Sequence, residues 1–143
     1  MKNKQKLVII SGYFNPLHVG HIEYINSSEK LGNKLIAIIN SDLQRRLKGA
    51  KEFMNEHDRQ IIINNIKSVD LSIISIDKDR SVSNTIKLIH EKYNHKYDLI
   101  FTNGGDQSFD NSPEQNICKK LDIKTVDGLG EKIQSSSNLL KNY

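Results

Sequence analysis

Two histidines three positions apart form the most distinctive segment of the chain, His18-Val19-Gly20-His21. Residues at this spacing share one face of a helix, so both imidazoles project together if the motif opens a helix. Gly20 carries no side chain and leaves room for a ligand to approach the backbone. A helix start adds amide donors and a positive dipole end. The motif therefore predicts a compact anion site, and the alternative is a pair of solvent-facing helix histidines.

The chemistry that suits such a site is attack on the α-phosphate of a nucleoside triphosphate (NTP). The enzyme must hold the two reactants in line and neutralise charge on the phosphoryl oxygens and the leaving pyrophosphate. Imidazoles that donate hydrogen bonds to phosphate oxygens can do this without a covalent intermediate. Mg²⁺ bound with the NTP is the expected cofactor, and no metal site built from the protein's own side chains is predicted.

Two further segments carry groups that could contact a nucleotide. Gly104-Gly105-Asp106 follows an apolar run, and its glycines permit close backbone approach and unusual dihedral angles. Ser135, Ser136 and Ser137 offer hydroxyls and amides at a predicted helix start. The alternatives are a simple tight turn for the first segment and helix capping for the second.

Alternating apolar runs and helical patterns supply the elements that must position these groups. Polar turns and capping residues separate the runs. The predicted strands are Leu7–Ile10, Leu35–Ile39, Leu71–Ile76, Asp98–Thr102 and Ile123–Val126, and the predicted helices are Leu17 to a Gly32 C-cap, Leu43–Lys48, Glu56–Ser68, Ser81–Lys92, Pro113–Leu121 and Ser135–Lys141.

This alternation predicts an α/β fold, a Rossmann-like doubly wound five-stranded parallel sheet with helices on both faces. Right-handed crossovers place the loops that follow the strands along one edge of the sheet, where such folds bind ligands. No repeat, linker or low-complexity segment interrupts the pattern. We therefore expect a single domain over residues 1–143.

Composition narrows the class of protein. The chain has 143 residues and a formal net charge of +4, which favours anionic partners without choosing among them. Its basic residues are scattered and no nucleic-acid-binding motif appears, so neither a nucleic acid nor a membrane is an expected partner. The single cysteine, Cys118, excludes a disulfide framework, and the first apolar run is too short for a signal peptide. A cytoplasmic location is the simplest expectation.

The stretch from Ser11 to His21 resembles the opening of the HxGH nucleotidyltransferase superfamily, and within it the cytidylyltransferase-like group. In that opening a strand leads through a Gly-aromatic stretch to the histidines, here Gly12-Tyr13-Phe14 followed by Asn15-Pro16. The resemblance is greatest to heptose phosphate adenylyltransferases, and next to glycerol-3-phosphate cytidylyltransferases. The latter carry an arginine that is missing here between Gly128 and Gln134.

The resemblance implies roles for individual residues. His18, His21 and Lys48 would be catalytic, and Arg59 and Lys51 are candidates for a substrate phosphate, with a structural ion pair as the alternative for Arg59. Asn15 stands where the family has an aspartate, although asparagine keeps the turn chemistry. The implied nucleotide-binding residues are Gly12, Tyr13, Phe14, Asn15, Gly20, Gly104, Gly105, Asp106, Ser135, Ser136 and Ser137.

The resemblance also implies an activity, the transfer of a nucleotidyl group from an NTP to a phosphorylated small molecule. ATP with a heptose 1-phosphate is the leading pair, and CTP with glycerol 3-phosphate is the next. FAD synthesis ranks below these, and a non-catalytic nucleotide-binding module is the alternative of another class. A homodimer is expected from the resemblance alone.

Overall fold

A computed structural model describes residues 4–104 and 112–129 of the chain. Strands and helices alternate along this part as the sequence predicts. The strands are β1 (Gln5–Gly12), β2 (Lys34–Ile39), β3 (Leu71–Ile74), β4 (Tyr97–Gly104) and β5 (Lys124–Leu129). The helices are α1 (Val19–Glu29), α2 (Asp42–Lys48), α3 (Glu56–Asn64), α4 (Ser83–Tyr93) and α5 (Pro113–Lys120).

The five strands form one parallel sheet in the order β3-β2-β1-β4-β5. β1 lies at the centre, where Ile9 pairs with Ile36 of β2 on one side and with Phe101 of β4 on the other. The chain builds outward from β1 to β3, returns, and builds the other half through β4 and β5. This reversal confirms the predicted doubly wound sheet, and it sets the ligand crevice beyond the carboxyl ends of β1 and β4.

The core explains why β1 is so apolar. Leu7–Ile10 are all buried because helices cover both faces of the sheet. α4 and α5 pack on one face through Ile86 and Cys118, whereas α1 and α3 pack on the other through Ile25 and Ile63. Each fully buried aliphatic side chain stabilises the fold by about 1.5–3 kcal/mol. The strand that leads into the histidine motif is therefore held on every side.

The end of α1 differs from the prediction. Gly32 does not cap this helix, which ends at Glu29 with Lys30 as its C-cap in a right-handed conformation. A glycine is needed at position 32 for another reason. A Cβ atom there would lie 2.8 Å from the carbonyl oxygen of Lys6, so the turn into β2 packs directly on the start of β1.

The end of α3 also differs, because the helix stops at Asn64 and not at Ser68. The side-chain amide of Asn65 donates to the carbonyl oxygen of Ile61 (2.8 Å), and the backbone then tightens into i→i+3 turns. Asp70 next joins the chain to β2 through its backbone and its carboxylate. The sequence pattern continued through this turn because its apolar residues still face the core.

The other predicted elements agree with the structure to within a few residues at each end. The predicted helix from Ser135 lies outside the described residues. Within the described ranges, no helix has the length and apolar character that crossing a membrane requires.

Candidate active site

The two histidines cap the start of α1 with their own side chains. His18 is the N-cap residue, and its Nδ1 accepts a hydrogen bond from the amide of Gly20 (3.0 Å). His21 reaches back, and its Nδ1 accepts from the amide of His18 (3.1 Å). This is a capping box in which imidazoles replace the usual hydroxyl and carboxylate. The two rings stack with centroids 3.9 Å apart and an interplanar angle of 27°.

Burial and these amide contacts determine the charge and the tautomer of both rings. Burial lowers the pKa of His18, and burial followed by the neighbouring His18 lowers the pKa of His21 to about 4. Both rings are therefore neutral near pH 7. Because each Nδ1 accepts from an amide, each neutral ring carries its proton on Nε2. The pair presents two Nε2–H donors, which suit phosphate oxygens.

The capping box also changes the expected use of the helix start. The sequence predicts that amides at this end face a ligand, but the amides of His18 and Gly20 already donate to the imidazoles. The amides of His21 and Ile22 turn toward the carbonyl oxygen of His18. The donors that the motif can offer a ligand are therefore mainly the imidazole Nε2–H groups.

Phe14 supports His21 from the side of β1. Its buried ring meets the His21 ring edge-on, with centroids 5.1 Å apart and an interplanar angle of 75°. Its φ of 52° is rare for a residue with a side chain. Gly12 makes room for it, since a Cβ atom at Gly12 would lie 2.9 Å from Phe14 Cζ. Both residues act on the site through packing, and their contact with a nucleotide stays a prediction.

Asn15 ties the loop after β1 to the loop before α3. Its Nδ2 donates to the carbonyl oxygen of Lys51 (3.0 Å), and its Oδ1 accepts from the amides of Phe53 (3.1 Å) and Met54 (3.0 Å). An aspartate could accept both bonds but could not make the donation. The asparagine therefore positions the loop that carries the exposed Lys51, while a direct nucleotide contact stays a prediction for Asn15 and a phosphate contact for Lys51.

Arg59 lies inside the protein with 1% of its surface exposed. Its Nε donates to Met54 O (3.0 Å), and its Nη1 donates to Tyr13 O (2.9 Å) and Asn40 O (2.7 Å). Its Nη2 pairs with Asp42 Oδ1 at 2.9 Å. Protein acceptors thus occupy all three nitrogens. Of the two roles that the sequence left open, the geometry supports the structural ion pair and not the phosphate contact.

Lys48 reaches the loop after β1 from the end of α2. Its Nζ lies 4.6 Å from the centroid of the Tyr13 ring, a cation–π distance. Burial, followed by the positive charge of Arg80, lowers the pKa of the Lys48 amine. The Tyr13 hydroxyl donates to the carbonyl oxygen of Gln44 (3.3 Å), which links the same ring to α2. The structure therefore brings Lys48 and Tyr13 together, as predicted site residues at one edge of the sheet.

Gly104 ends β4 on the other side of β1. A Cβ atom there would lie 2.7 Å from Tyr24 Cδ1, so a glycine is required for β4 to approach α1 this closely. Tyr24 in turn donates its buried hydroxyl to the carbonyl oxygen of Thr102 (2.7 Å). The remaining predicted nucleotide-binding residues, Gly105, Asp106, Ser135, Ser136 and Ser137, lie outside the described residues.

The structure adds one charged residue that the sequence did not single out. Arg80 is exposed in the loop between β3 and α4, and its charge acts on both Tyr13 and Lys48. The signal in the sequence was its position, because the loop after the third strand opens at the same edge of the sheet as the histidine motif. As to metals, the described part of the chain has no group of three His, Cys, Asp or Glu side chains placed to hold an ion.

A comparison with protein families assigns this site to a known group. The family described as "Cytidylyltransferase-like" matches residues 9–134, which include the second half of β1, both histidines and Lys48. The chain belongs to the cytidylyltransferase-like family. It is accordingly a nucleotidyltransferase, and it has the parallel α/β fold of that family.

Individual members of the superfamily are similar over different lengths. A protein named FAD synthase from Picrophilus torridus is 32% identical over 136 residues, which cover 92% of this chain and 91% of that protein. Another FAD synthase, from Thermoplasma volcanium, is 34% identical over 116 residues. The bifunctional protein HldE of Citrobacter koseri is 39% identical over 80 residues, which cover 54% of this chain and only 17% of HldE.

Solved structures share the fold. The structure of a lipopolysaccharide core biosynthesis protein from Thermoplasma volcanium has a TM-score of 0.69 and 32% identity, and the match covers 88% of this chain and 98% of that one. A second structure, from Vibrio parahaemolyticus, has a TM-score of 0.60 at 19% identity and shows the likeness of fold alone.

Proposed function

We propose that the protein transfers AMP from ATP to the phosphate group of a phosphorylated small molecule and releases pyrophosphate. The observation that carries this proposal is the stacked pair of neutral imidazoles, whose Nδ1 atoms accept from backbone amides and whose Nε2–H groups have no acceptor in the part of the chain that the structure describes. Two fixed donors at one point are what a reaction at an α-phosphate requires, since its catalysis depends on positioning and charge stabilisation.

In the proposed reaction an oxygen of the acceptor phosphate attacks the α-phosphorus of ATP. The new P–O bond forms as the bond to the leaving pyrophosphate breaks, with the attacking and leaving oxygens in line. His18 and His21 donate to the phosphate oxygens, and Lys48 balances the charge of the acceptor phosphate. Mg²⁺ enters with the triphosphate as part of the substrate. The phosphate is already ionised, so the step needs no general base from the protein.

The similarity to these relatives supports ATP as the nucleotide substrate. It leaves two phosphorylated acceptors that an experiment must distinguish. FMN is favoured by similarity to FAD synthases over nearly the whole chain. A heptose 1-phosphate is favoured by the likeness to HldE over 54% of the chain and by the likeness to the lipopolysaccharide core biosynthesis protein. The two acceptors share a phosphomonoester, which is the class that we propose. CTP with glycerol 3-phosphate remains the alternative pair, because the family is cytidylyltransferase-like.

A screen of pyrophosphate release tests this function. Each of the four NTPs is combined with FMN, heptose 1-phosphate and glycerol 3-phosphate, with Mg²⁺ present. We expect ATP to support release with at least one acceptor, and the adenylylated product to appear in equal amount. If nucleotide binds but no pair turns over, the protein is a non-catalytic nucleotide-binding module and the proposal fails.

Two further properties belong to the same proposal. We propose a homodimer, which rests on the family resemblance, and a cytoplasmic location, which fits the single cysteine. Sedimentation at concentrations around the working range tests the first, and a single monomer species would refute it.

A further inference from the structure

The loop between β3 and α4 holds an exposed arginine in a backbone fixed on both sides. Gln44, which is 0% exposed, donates from its Nε2 to the carbonyl oxygens of Asp79 (2.8 Å) and Ser81 (2.7 Å). The Asp79 carboxylate accepts from the amide and the hydroxyl of Ser81 (3.0 and 2.7 Å). Arg80 lies between these two residues, so its backbone is anchored although its side chain faces solvent.

The same glutamine connects this loop to the active site. Its backbone carbonyl accepts from the Tyr13 hydroxyl (3.3 Å), and the Nζ of Lys48 lies 4.6 Å from the centre of that ring. The positive charge of Arg80 opposes the rise that burial causes in the pKa of Tyr13, and it contributes to lowering the pKa of Lys48. Arg80 and Lys48 are therefore two cations near one tyrosine, close enough to repel each other.

No acidic partner offsets this repulsion in the ranges that the structure describes. The ion pairs found there within 4.0 Å are Arg59–Asp42 and His57–Glu56, and neither includes Lys48 or Arg80. The carboxylate of Asp79 is adjacent in sequence, but it accepts from Ser81 through Oδ1 and forms no ion pair within 4.0 Å with either cation. Two like charges held together, with no carboxylate of the described residues within 4.0 Å, favour the binding of an anion.

The topology indicates which anion this is. The histidine motif follows the central strand β1, and Gly104 of the predicted nucleotide loop ends β4 on one side of it. Lys48 and Arg80 follow β2 and β3 on the opposite side. A triphosphate that spans β1 and β4 leaves the β2–β3 side for the second reactant, which must approach the α-phosphorus from the face opposite the leaving group.

We propose that Arg80 binds the phosphate of the acceptor together with Lys48, and that Gln44 positions Arg80 for this contact. The inference rests on the proposed function, which requires a phosphorylated acceptor. An arginine suits the task because its planar guanidinium offers two parallel donors to a phosphate, whereas a lysine offers a point charge. Arg80 would thus select for acceptors that carry a phosphomonoester.

Binding of inorganic phosphate tests the contact without any need for turnover. Calorimetric titration of the wild-type protein is compared with Arg80→Gln, Arg80→Lys and the matched control Lys78→Gln, which removes one charge from an exposed position in the same loop. We expect Arg80→Gln to weaken phosphate binding about tenfold or more, as for loss of a charged hydrogen bond. Arg80→Lys should weaken it less, and Lys78→Gln should leave it within about twofold. Equal affinities for wild type and Arg80→Gln, or equal losses in Arg80→Gln and Lys78→Gln, would overturn the inference.

Steady-state kinetics then assign the phosphate to one reactant. With an NTP and an acceptor that the enzyme turns over, Arg80→Gln should raise the KM for the acceptor about tenfold and the KM for the NTP less than about twofold. A rise confined to the NTP would place Arg80 at the triphosphate and overturn the acceptor assignment. A protein that binds phosphate through Arg80 but turns over no pair would refute the proposed function and not the anion site.

Discussion

The start of α1 and the junction of α2 with α3 are both polar clusters at the same edge of the sheet, yet they use their groups in opposite ways. At α1, the Nδ1 atoms of His18 and His21 accept from backbone amides, and their Nε2 atoms make no hydrogen bond within the described ranges. At the α2–α3 junction, all three nitrogens of Arg59 donate to acceptors within the protein, which belong to Met54, Tyr13, Asn40 and Asp42. The hydrogen-bonding capacity that remains after folding, and not residue type, separates a reactive cluster from a structural one.

Removal of either histidine should produce the largest effect, and it should fall on the rate. We expect His18→Ala and His21→Ala each to lower turnover by roughly 10²–10³, the usual loss for a transition-state donor. The free energy of unfolding should fall by only about 1 kcal/mol, as for a lost helix cap. Single-turnover rates and denaturant unfolding measure the two. Losses of less than about tenfold in both variants would show that these histidines are not central to catalysis.

Replacement of Arg59 should reverse that pattern. Arg59→Met leaves buried carbonyl oxygens and Asp42 without their donor, so we expect the free energy of unfolding to fall by about 3 kcal/mol. Turnover per folded molecule should change far less than in the histidine variants. Chemical denaturation with activity corrected for the folded fraction separates these effects. A stable Arg59→Met protein with a greatly raised KM for substrate would instead return Arg59 to the phosphate role.

Asn15→Asp tests the loop that connects the two clusters. The carboxylate keeps the bonds from Phe53 and Met54 but cannot donate to Lys51 O, so we expect a loss of about 1–2 kcal/mol in the free energy of unfolding. Asn26→Asp is the matched control. Among the described residues, the Asn26 side chain makes one hydrogen bond, in which its Oδ1 accepts from the Ser68 hydroxyl (2.8 Å), so the change should cost little. Equal effects of the two substitutions would argue against a role of Asn15 in holding the two loops together.

The effect that is smallest near neutral pH should be a change in how stability depends on pH. Because the folded pKa of His21 is lowered to about 4 from a reference of 6.5, the unfolded chain binds more protons between these values. Stability therefore falls as pH drops from about 6.5 to 4, and His21→Gln should make this fall shallower. His57→Gln, which alters an exposed histidine, is the control. Thermal unfolding across this window measures both, and identical slopes for wild type and His21→Gln would contradict a neutral, buried His21.

The sequence predicts the strands and helix caps that surround the site better than it predicts the hydrogen bonds between distant residues. β1 is evident as a continuous apolar run because a strand buried on both faces has no polar alternation. The capping role of Ser41 is equally local, since its hydroxyl accepts from Gln44 three residues later. These features depend on neighbours in the chain, which composition and spacing describe well.

Arg59, Gln44 and Arg80 could not be assigned in this way. The partners of Arg59 come from the loop after β1, the end of β2 and the start of α2. Gln44 reaches the loop 35 to 37 residues further on, and that contact anchors Arg80. Such roles arise only when separate elements meet at the sheet edge, and a spacing pattern along one element carries no trace of them.

The central claim is that His18 and His21 stand as neutral Nε2–H donors at the position of an α-phosphate. Nitrogen-15 NMR of the labelled imidazoles near neutral pH, with and without a non-hydrolysable ATP analogue and Mg²⁺, tests it directly. We predict Nε2–H tautomers for both rings in the free protein, and Nε2 resonances that shift when the analogue binds while the Nδ1 resonances stay near their free positions. Charged rings, Nδ1–H tautomers, or Nε2 signals that the bound analogue leaves unmoved would contradict the account.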